Sequence, residues 1–293
     1  MEKTIFALGF FDGVHLGHQA LLAAAGKLAG EEGVKTGVVT FSEHPDGLVL
    51  GSAPQLLNTV PDRNGWLRVY GVQDILELPF DKEVMNTHWA SFLTQLVNAG
   101  AAGFVCGDDF RFGAGGLGTP KKLAAFCEKR GLRYAVVPQQ EVDGVRVSST
   151  HIRQLLENGE MEQVNRFLGH LHVLTGEVVT GRQLGRTIGI PTANMVIPEG
   201  VAVPKLGVYA GCTAVDGQAY LTVTNVGSRP TVGGHQVRVE SWLLDFEGDL
   251  YGKPLTLAFL KFLRPEQKFD SLEELKAQIL KDAQRVRELT KER

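Results

Sequence analysis

The stretch Ile5-Phe6-Ala7-Leu8-Gly9-Phe10-Phe11-Asp12-Gly13-Val14-His15-Leu16-Gly17-His18 decides how the first half of the chain is read. Ile5 to Leu8 is a short apolar run of the kind that forms a buried strand. Ala-rich sequence from Gln19 to Leu28 reads as a helix. The glycines at the turn between them let backbone come close to a ligand. His15 and His18 are three apart, so on the first turn of a helix they share a face. A helix start offers unpaired N–H groups and the positive end of a dipole, which suit phosphate. Imidazoles beside those amides can donate hydrogen bonds to phosphoryl oxygens as charge builds. A single histidine here would be an ordinary surface residue; the pair, straight after a strand and a glycine turn, points to a phosphate site. It is not a P-loop, because the Gly-Lys-Ser/Thr ending is missing.

The pattern resembles the HxGH signature of the adenylyl- and cytidylyltransferase superfamily. Its longer form, Phe11-Asp12-Gly13-Val14-His15, resembles the version found in bacterial FAD synthetases. That resemblance implies catalytic roles for His15 and His18, and nucleotide or flavin contacts at Gly9, Phe11, Asp12 and Gly13.

The bulk numbers leave room for this reading. The chain has 293 residues, which fits two domains better than one. With 30 basic and 33 acidic residues the net charge is −3, which gives no general reason to expect nucleic-acid or membrane binding. Cys106, Cys127 and Cys212 are far apart and odd in number, so neither a metal site nor a disulfide framework is expected. The start has no signal-peptide pattern and no apolar run spans a bilayer. The expected location is the cytoplasm, with no obligate protein partner.

Val34 to Phe41 reads as a second strand, ending in Thr40-Phe41-Ser42-Glu43-His44-Pro45. FAD synthetases usually have Thr-Phe-x-Pro-His-Pro here. His44 is retained as a ligand contact, while Glu43 in place of proline implies a less rigid loop. Asp74 to Phe80 is a third strand, His88 to Asn98 a helix and Phe104 to Cys106 a short buried strand. Then comes Gly107-Asp108-Asp109-Phe110-Arg111-Phe112-Gly113, a glycine-dense loop at the carboxyl end of a strand, where open α/β sheets bind ligands. It resembles the family's Gly-x-Asp/Asn-Phe-x-Phe-Gly block, implying contacts at Asp109 and Arg111. The basic residue the family often has shortly afterwards is absent, so one phosphate contact has to come from elsewhere. Lys121 to Lys129 reads as a helix and Tyr134 to Val137 as a strand. Val147-Ser148-Ser149-Thr150-His151-Ile152-Arg153 then opens another helix. Its hydroxyls are ordinary N-caps. They also match the family's second nucleotide signature, in which Ser148, Ser149, Thr150 and the catalytic Arg153 meet the ATP phosphates. The strand–helix alternation implies a parallel, Rossmann-like sheet.

Met161 to Leu168 reads as the last helix of a first domain, residues 1–171. From Val173 the pattern changes to several strands in a row, which argues for an antiparallel barrel or sandwich over residues 172–293; a barrel is expected. Gly181-Arg182-Gln183-Leu184-Gly185-Arg186-Thr187-Ile188-Gly189-Ile190-Pro191-Thr192-Ala193-Asn194 reads as a long turn whose glycines can wrap phosphate, with Thr192 and Asn194 as oxygen ligands for Mg²⁺. It closely resembles the riboflavin kinase signature. That resemblance implies nucleotide or flavin contacts at Gly181, Arg182, Gly185, Arg186 and Gly189, and at Asn225 and Arg229 in the later block Asn225-Val226-Gly227-Ser228-Arg229-Pro230-Thr231. In Val239-Glu240-Ser241-Trp242, Glu240 corresponds to the family's general base, a half-buried carboxylate able to take the ribityl hydroxyl proton. Ser271 to Leu289 is a capped helix with an apolar stripe that packs on the barrel.

The resemblance covers nearly the whole chain. It implies an enzyme that uses ATP to convert riboflavin to FMN and then FMN to FAD, with Mg²⁺ as cofactor and riboflavin, FMN and ATP as its small-molecule partners. Three alternatives remain: an HxGH transferase acting on another phosphate acceptor, a flavin sensor, and a riboflavin kinase with a degraded first domain.

Overall fold

The computed structural model describes residues 3–181, 184–231 and 234–291. By packing, these form two compact units: residues 1–56 with 60–149, and residues 57–59 with 150–293.

In the first unit the elements run β1 (Thr4–Leu8), α1 (Leu16–Glu32), β2 (Lys35–Phe41), α2 (Pro45–Val49), α3 (Val60–Val69), β3 (Asp74–Leu78), α4 (Lys82–Asn86), α5 (Trp89–Asn98), β4 (Ala101–Gly107), α6 (Pro120–Arg130), β5 (Arg133–Val137), β6 (Glu141–Val142) and β7 (Val145–Arg146). The five longer strands pair in parallel in the order β3-β2-β1-β4-β5. β1 is central and apolar on both faces because helices cover both. Ile5 and Ala7 pack with Leu22, Ala25 and Leu67 from α1 and α3; Phe6 and Leu8 pack with Leu93, Leu96 and Leu123 from α5 and α6. The order of strand addition reverses at β1, so the carboxyl ends of β1 and β4 flank the crevice where such sheets hold nucleotides.

The second unit contains α7 (Ser149–Asn158, entered from the first unit through Ser149), α8 (Met161–Leu168), β8 (His172–Val179), α9 (Leu184–Thr187), β9 (Ala193–Val196), β10 (Gly207–Val215), β11 (Gln218–Thr231), β12 (Gly234–Leu243), β13 (Pro254–Arg264) and α10 (Leu272–Lys291). Six strands close into an antiparallel barrel in the order β10-β11-β12-β9-β8-β13. Tyr209, Val226, Val239, Ser241 and Met195 are buried inside it. The alternate positions, Val208, Val223, Asn225, Glu240 and Asn194, therefore point to the outer face. α10 covers part of that face, burying Ala283 and Val286 against Val208 and Val223. Ser271 caps it as expected, its hydroxyl accepting from the Glu274 N–H at 3.1 Å.

The change of periodicity near Leu171 marks where strands begin, whereas packing joins α7 and α8 to the barrel from Thr150 onward. The Asn165 amide of α8 donates to the Phe259 carbonyl at 2.8 Å, and its oxygen accepts from the His172 N–H at 2.7 Å.

Candidate active sites

The turn after β1 is wound tightly. Phe11, Gly13 and Val14 all have positive φ, at 62°, 76° and 41°. A β-branched residue in that region is strained, a cost retained where surrounding structure fixes a functional loop. Phe11, expected from the sequence to contact ligand, is wholly buried in the core, where its ring anchors the turn. Asp12 and Gly13 are buried in the same turn.

His15 caps α1, its Nδ1 accepting the His18 N–H at 3.3 Å. In a neutral His15 ring the proton then sits on Nε2. The two imidazoles stack at 3.7 Å between centroids and 11° between planes. Burial first, then His15 and the charge of Arg63, hold His18 well below the usual imidazole range. His18 is therefore a neutral ring, suited to donating a hydrogen bond and not to carrying charge.

Both histidines line a cleft of about 240 Å³ with Gly9, Asp109, Arg146, Ser148 and Ser149. The Ser149 hydroxyl donates to the Asp12 carbonyl at 3.0 Å, which joins the two signature loops directly. Asp109 pairs with Arg146, which the sequence reading passed over. Arg146 is a cation in the cleft despite the missing basic residue after Gly113. Thr150 and Arg153 lie on α7, within the second unit.

A second cavity, about 600 Å³, shares Leu8, Gly9, Phe10 and Phe110 with the cleft. Phe41, Phe80, Phe92, Phe110 and Phe112 make it strongly apolar, and Arg111 stands on its lining. Asp109 and Arg111 thus serve different cavities. His44 caps α2 through Nδ1 and sets its ring edge-on to Phe10 at 4.7 Å. Glu43 does not loosen this loop: its carboxylate accepts from the Ser42 hydroxyl at 2.6 Å and the Phe80 N–H at 3.3 Å, fastening β2 to the end of β3. Those hydrogen bonds, Ser42's first, hold Glu43 below the usual carboxylate range.

In the barrel, register does the assembling. Asn225 stands opposite Glu240, and Glu240 opposite Asn194. Cross-strand partners share a face, so three distant sequence blocks meet in one row. Asn194 lies on β9, a strand that the sequence reading took for part of a turn. Its Oδ1 is buried and has no partner among the described residues. Gly181 closes over it: a β-carbon at 181 would lie 2.4 Å from Asn194 Nδ2. Likewise a β-carbon at 185 would meet the Ile190 carbonyl at 2.2 Å. Gly189 is exposed with φ 76°. Arg182 lies outside the described residues, as do the side chains of Arg186 and Arg229.

Asn225, Glu240 and Thr192 line a cavity of about 240 Å³ between the barrel's outer face and α10, with Trp242, Phe269, Leu275 and Ile279 as apolar walls. Thr192 also lines a neighbouring cavity of about 290 Å³ walled by Pro191, Leu250 and Tyr251. Glu240 is half-buried and paired with Arg238 at 2.8 Å, two residues earlier on the same face of β12. Period-two spacing alone could have found Arg238. Among the described residues no group of three or more His, Cys, Asp or Glu could hold a metal ion. Two neutral oxygens beside substrate phosphates, one of them Asn194 Oδ1 without a partner, do fit Mg²⁺, which keeps much of its own water.

A helix-start phosphate cleft on a parallel sheet, joined in one chain to a barrel bearing a carboxylate beside two cavities, defines a two-site phosphate-transferring enzyme. Comparison with known proteins sharpens that class. The FAD synthetase family model matches residues 1–151, and the riboflavin kinase model residues 168–290. The bifunctional riboflavin kinase/FMN adenylyltransferase of Listeria monocytogenes is 35% identical, over 97% of this chain and 92% of its own. That of Escherichia coli K12 is 37% identical, over 98% and 93%. A solved structure described as a macrolide-efflux protein from Streptococcus pneumoniae is 30% identical, covers 98% of this chain and 94% of its own, and superposes with a TM-score of 0.89. Among the described residues here no helix is long and apolar enough to cross a membrane. The chain belongs to the bifunctional riboflavin kinase/FMN adenylyltransferase family.

Proposed function

We propose that the barrel phosphorylates riboflavin with ATP, giving FMN and ADP, and that the parallel-sheet unit joins FMN to the AMP moiety of a second ATP, giving FAD and pyrophosphate. One observation carries this reading: in each unit two cavities share a wall, and reactive groups line it. In the barrel the wall is Thr192, with Glu240 on one side. In the sheet unit it is Leu8 to Phe10 together with Phe110, with the histidines on one side and an aromatic cavity of about 600 Å³ on the other.

In the kinase step Glu240 accepts the proton of the terminal ribityl hydroxyl. The freed oxygen forms a bond to the γ-phosphorus, and the bridging oxygen leaves with ADP. Arg238 holds the carboxylate until the alcohol arrives. Thr192 and Asn194 would hold Mg²⁺, which when bound would supply charge neutralisation on the transferred phosphate. The isoalloxazine ring packs against Trp242, Leu275 and Ile279, and the nucleotide against Leu250 and Tyr251.

The adenylyl step needs no base, because its nucleophile, the FMN phosphate, is already anionic. Its oxygen attacks the α-phosphorus and pyrophosphate departs. His15, His18 and the α1 amides donate hydrogen bonds to the developing charge, Arg146 supplies a cation, and Ser148 and Ser149 orient the phosphates. The enzyme works in the cytoplasm, consistent with free Cys106, Cys127 and Cys212. It needs no nucleic acid, membrane or obligate protein partner.

Chromatography of the flavins made by variants tests both assignments. Glu240→Ala abolishes FMN formation while FAD synthesis from supplied FMN survives. His15→Ala lowers FAD synthesis on the order of 100- to 1000-fold and spares the kinase. A folded variant losing both activities together would defeat the two-site reading.

A further inference from the structure

Phe10, with Phe110, lines both the histidine cleft and the apolar cavity. The backbone here has no regular strand or helix to hold it. What holds it is a set of contacts from elsewhere in the sequence. The Phe10 carbonyl accepts two hydrogen bonds, from Arg63 Nη1 at 3.2 Å and from the Thr40 hydroxyl at 3.0 Å. The Arg63 guanidinium also lies over the Phe10 ring, 4.9 Å from its centroid, while His44 meets that ring edge-on.

Arg63 itself is 2% exposed. A buried cation is costly unless it is paired. Glu77 pairs with it, Oε2 to Nη2 at 3.0 Å, and Asp12 lies close enough to favour its charge. Glu77 stands next to the carboxyl end of β3, so the arginine bridges the sheet's edge strand to its ligand-binding crevice. It lines neither cavity. The cation therefore does not serve as a substrate contact, and a short apolar side chain would satisfy the packing of α3 at lower cost. The arrangement makes sense if the placement of Phe10 matters.

We propose that Arg63 is a positioning residue for the adenylyl transfer: its guanidinium sets the Phe10 wall between cleft and cavity, and so sets the approach of the flavin phosphate to the α-phosphorus. The inference rests on the adenylyltransferase reading above. An attacking oxygen must lie within about 3–3.5 Å of its target, and misplacement by 1 Å can cost on the order of 100-fold. The same guanidinium also helps to keep His18 neutral, and so a donor.

The test uses the full chain and measures FAD formation from supplied FMN and ATP. The barrel's riboflavin kinase activity and a thermal melt serve as controls for folding. Arg63→Met keeps the length and removes the charge and donors; it is expected to lower kcat on the order of 100-fold and raise the KM for FMN more than the KM for ATP. Arg63→Lys restores the charge and one donor, and is expected to recover part of kcat. Thr40→Val removes the second donor to the same carbonyl and is expected to move the same constants in the same direction by less. Unchanged kcat and KM values in Arg63→Met overturn the proposal. If that variant fails to fold, Arg63→Lys and Thr40→Val decide, and parental constants in both overturn it. Loss confined to the KM for ATP overturns it too. A parent enzyme that makes no FAD removes the underlying reading, and the proposal with it.

Discussion

Asn194 shows how much a single side chain can be asked to do. It sits directly opposite Glu240, and its Oδ1 is buried with nothing to accept from. An unsatisfied buried oxygen costs about 1–3 kcal/mol, which a bound cation recovers. Gly181 is the residue that permits this, because any β-carbon there would collide with the Asn194 amide. Gly181→Ala is therefore expected to raise the KM for MgATP in the kinase step at least tenfold, with FAD synthesis from FMN unchanged; steady-state assays of the two reactions check it. At this scale the sequence was informative where a residue's role follows from its own chemistry and neighbours in the chain. His15 and His18 were singled out that way, from their spacing at a helix start, whereas Glu240 was singled out only through the family resemblance. Arg63 and Arg146 were not, because their partners Phe10 and Asp109 are brought to them only by tertiary contact. The burial of the Phe11 ring was not legible for the same reason: the motif fixes its position in the chain, and tertiary packing turns the ring inward.

Elements were legible where burial imposes a period. β1, β2, β4 and the longer barrel strands have one apolar face or two, and α5 and α10 carry apolar stripes. The short helices α2 and α4 bury no residue and so leave no stripe to read. β9 was hidden by the Pro191-Thr192 lead-in and by its length of four residues. α8 was recognised as a helix, but amphipathicity does not say which surface its apolar face will cover. α10 is fixed more specifically. Arg264 at the end of β13 reaches Asp282 with three hydrogen bonds of 2.8–3.2 Å, and Gln278 adds a fourth at 2.9 Å. Asp282 is 5% exposed. Asp282→Ala leaves the guanidinium without that carboxylate and is expected to cost about 3–5 kcal/mol of barrel stability. Denaturant melts followed by the fluorescence of Trp242 measure it. Because both residues line the cavity beside Glu240, the same variant should bind riboflavin more weakly.

For the molecule as a whole, acid is the revealing variable. His172 is fully buried at the start of β8, and neither ring nitrogen has a partner. Burial, with a smaller push from His170, takes its imidazole from 6.5 down to about 3. The folded state therefore binds fewer protons than the unfolded chain between those values. Stability is complete above about pH 6.5 and falls as pH drops, by up to about 1.4 kcal/mol per pH unit. Equilibrium unfolding from pH 7 to 4 should show that slope in the barrel, and His172→Leu should flatten it. The two-unit plan was legible from the switch between alternating strands and helices and consecutive strands, since each pattern admits few architectures. Which helices join which unit was not, because packing partners are a property of the assembled surface.

The shortest strand of the barrel has the widest reach. β9 meets β12 at only three rungs, and the middle rung is Asn194 with Glu240. The latch that shuts the cylinder and the residues proposed above for phosphate transfer are thus the same few. Breathing at this seam would scatter the reacting groups at the moment it opened the wall, and a nucleotide seated there would act as a clasp on both. With an unreactive MgATP analogue at 100 times its Kd, amide exchange along β8 and β12 should slow by the equivalent of about 2.7 kcal/mol, while strands far from the seam respond less.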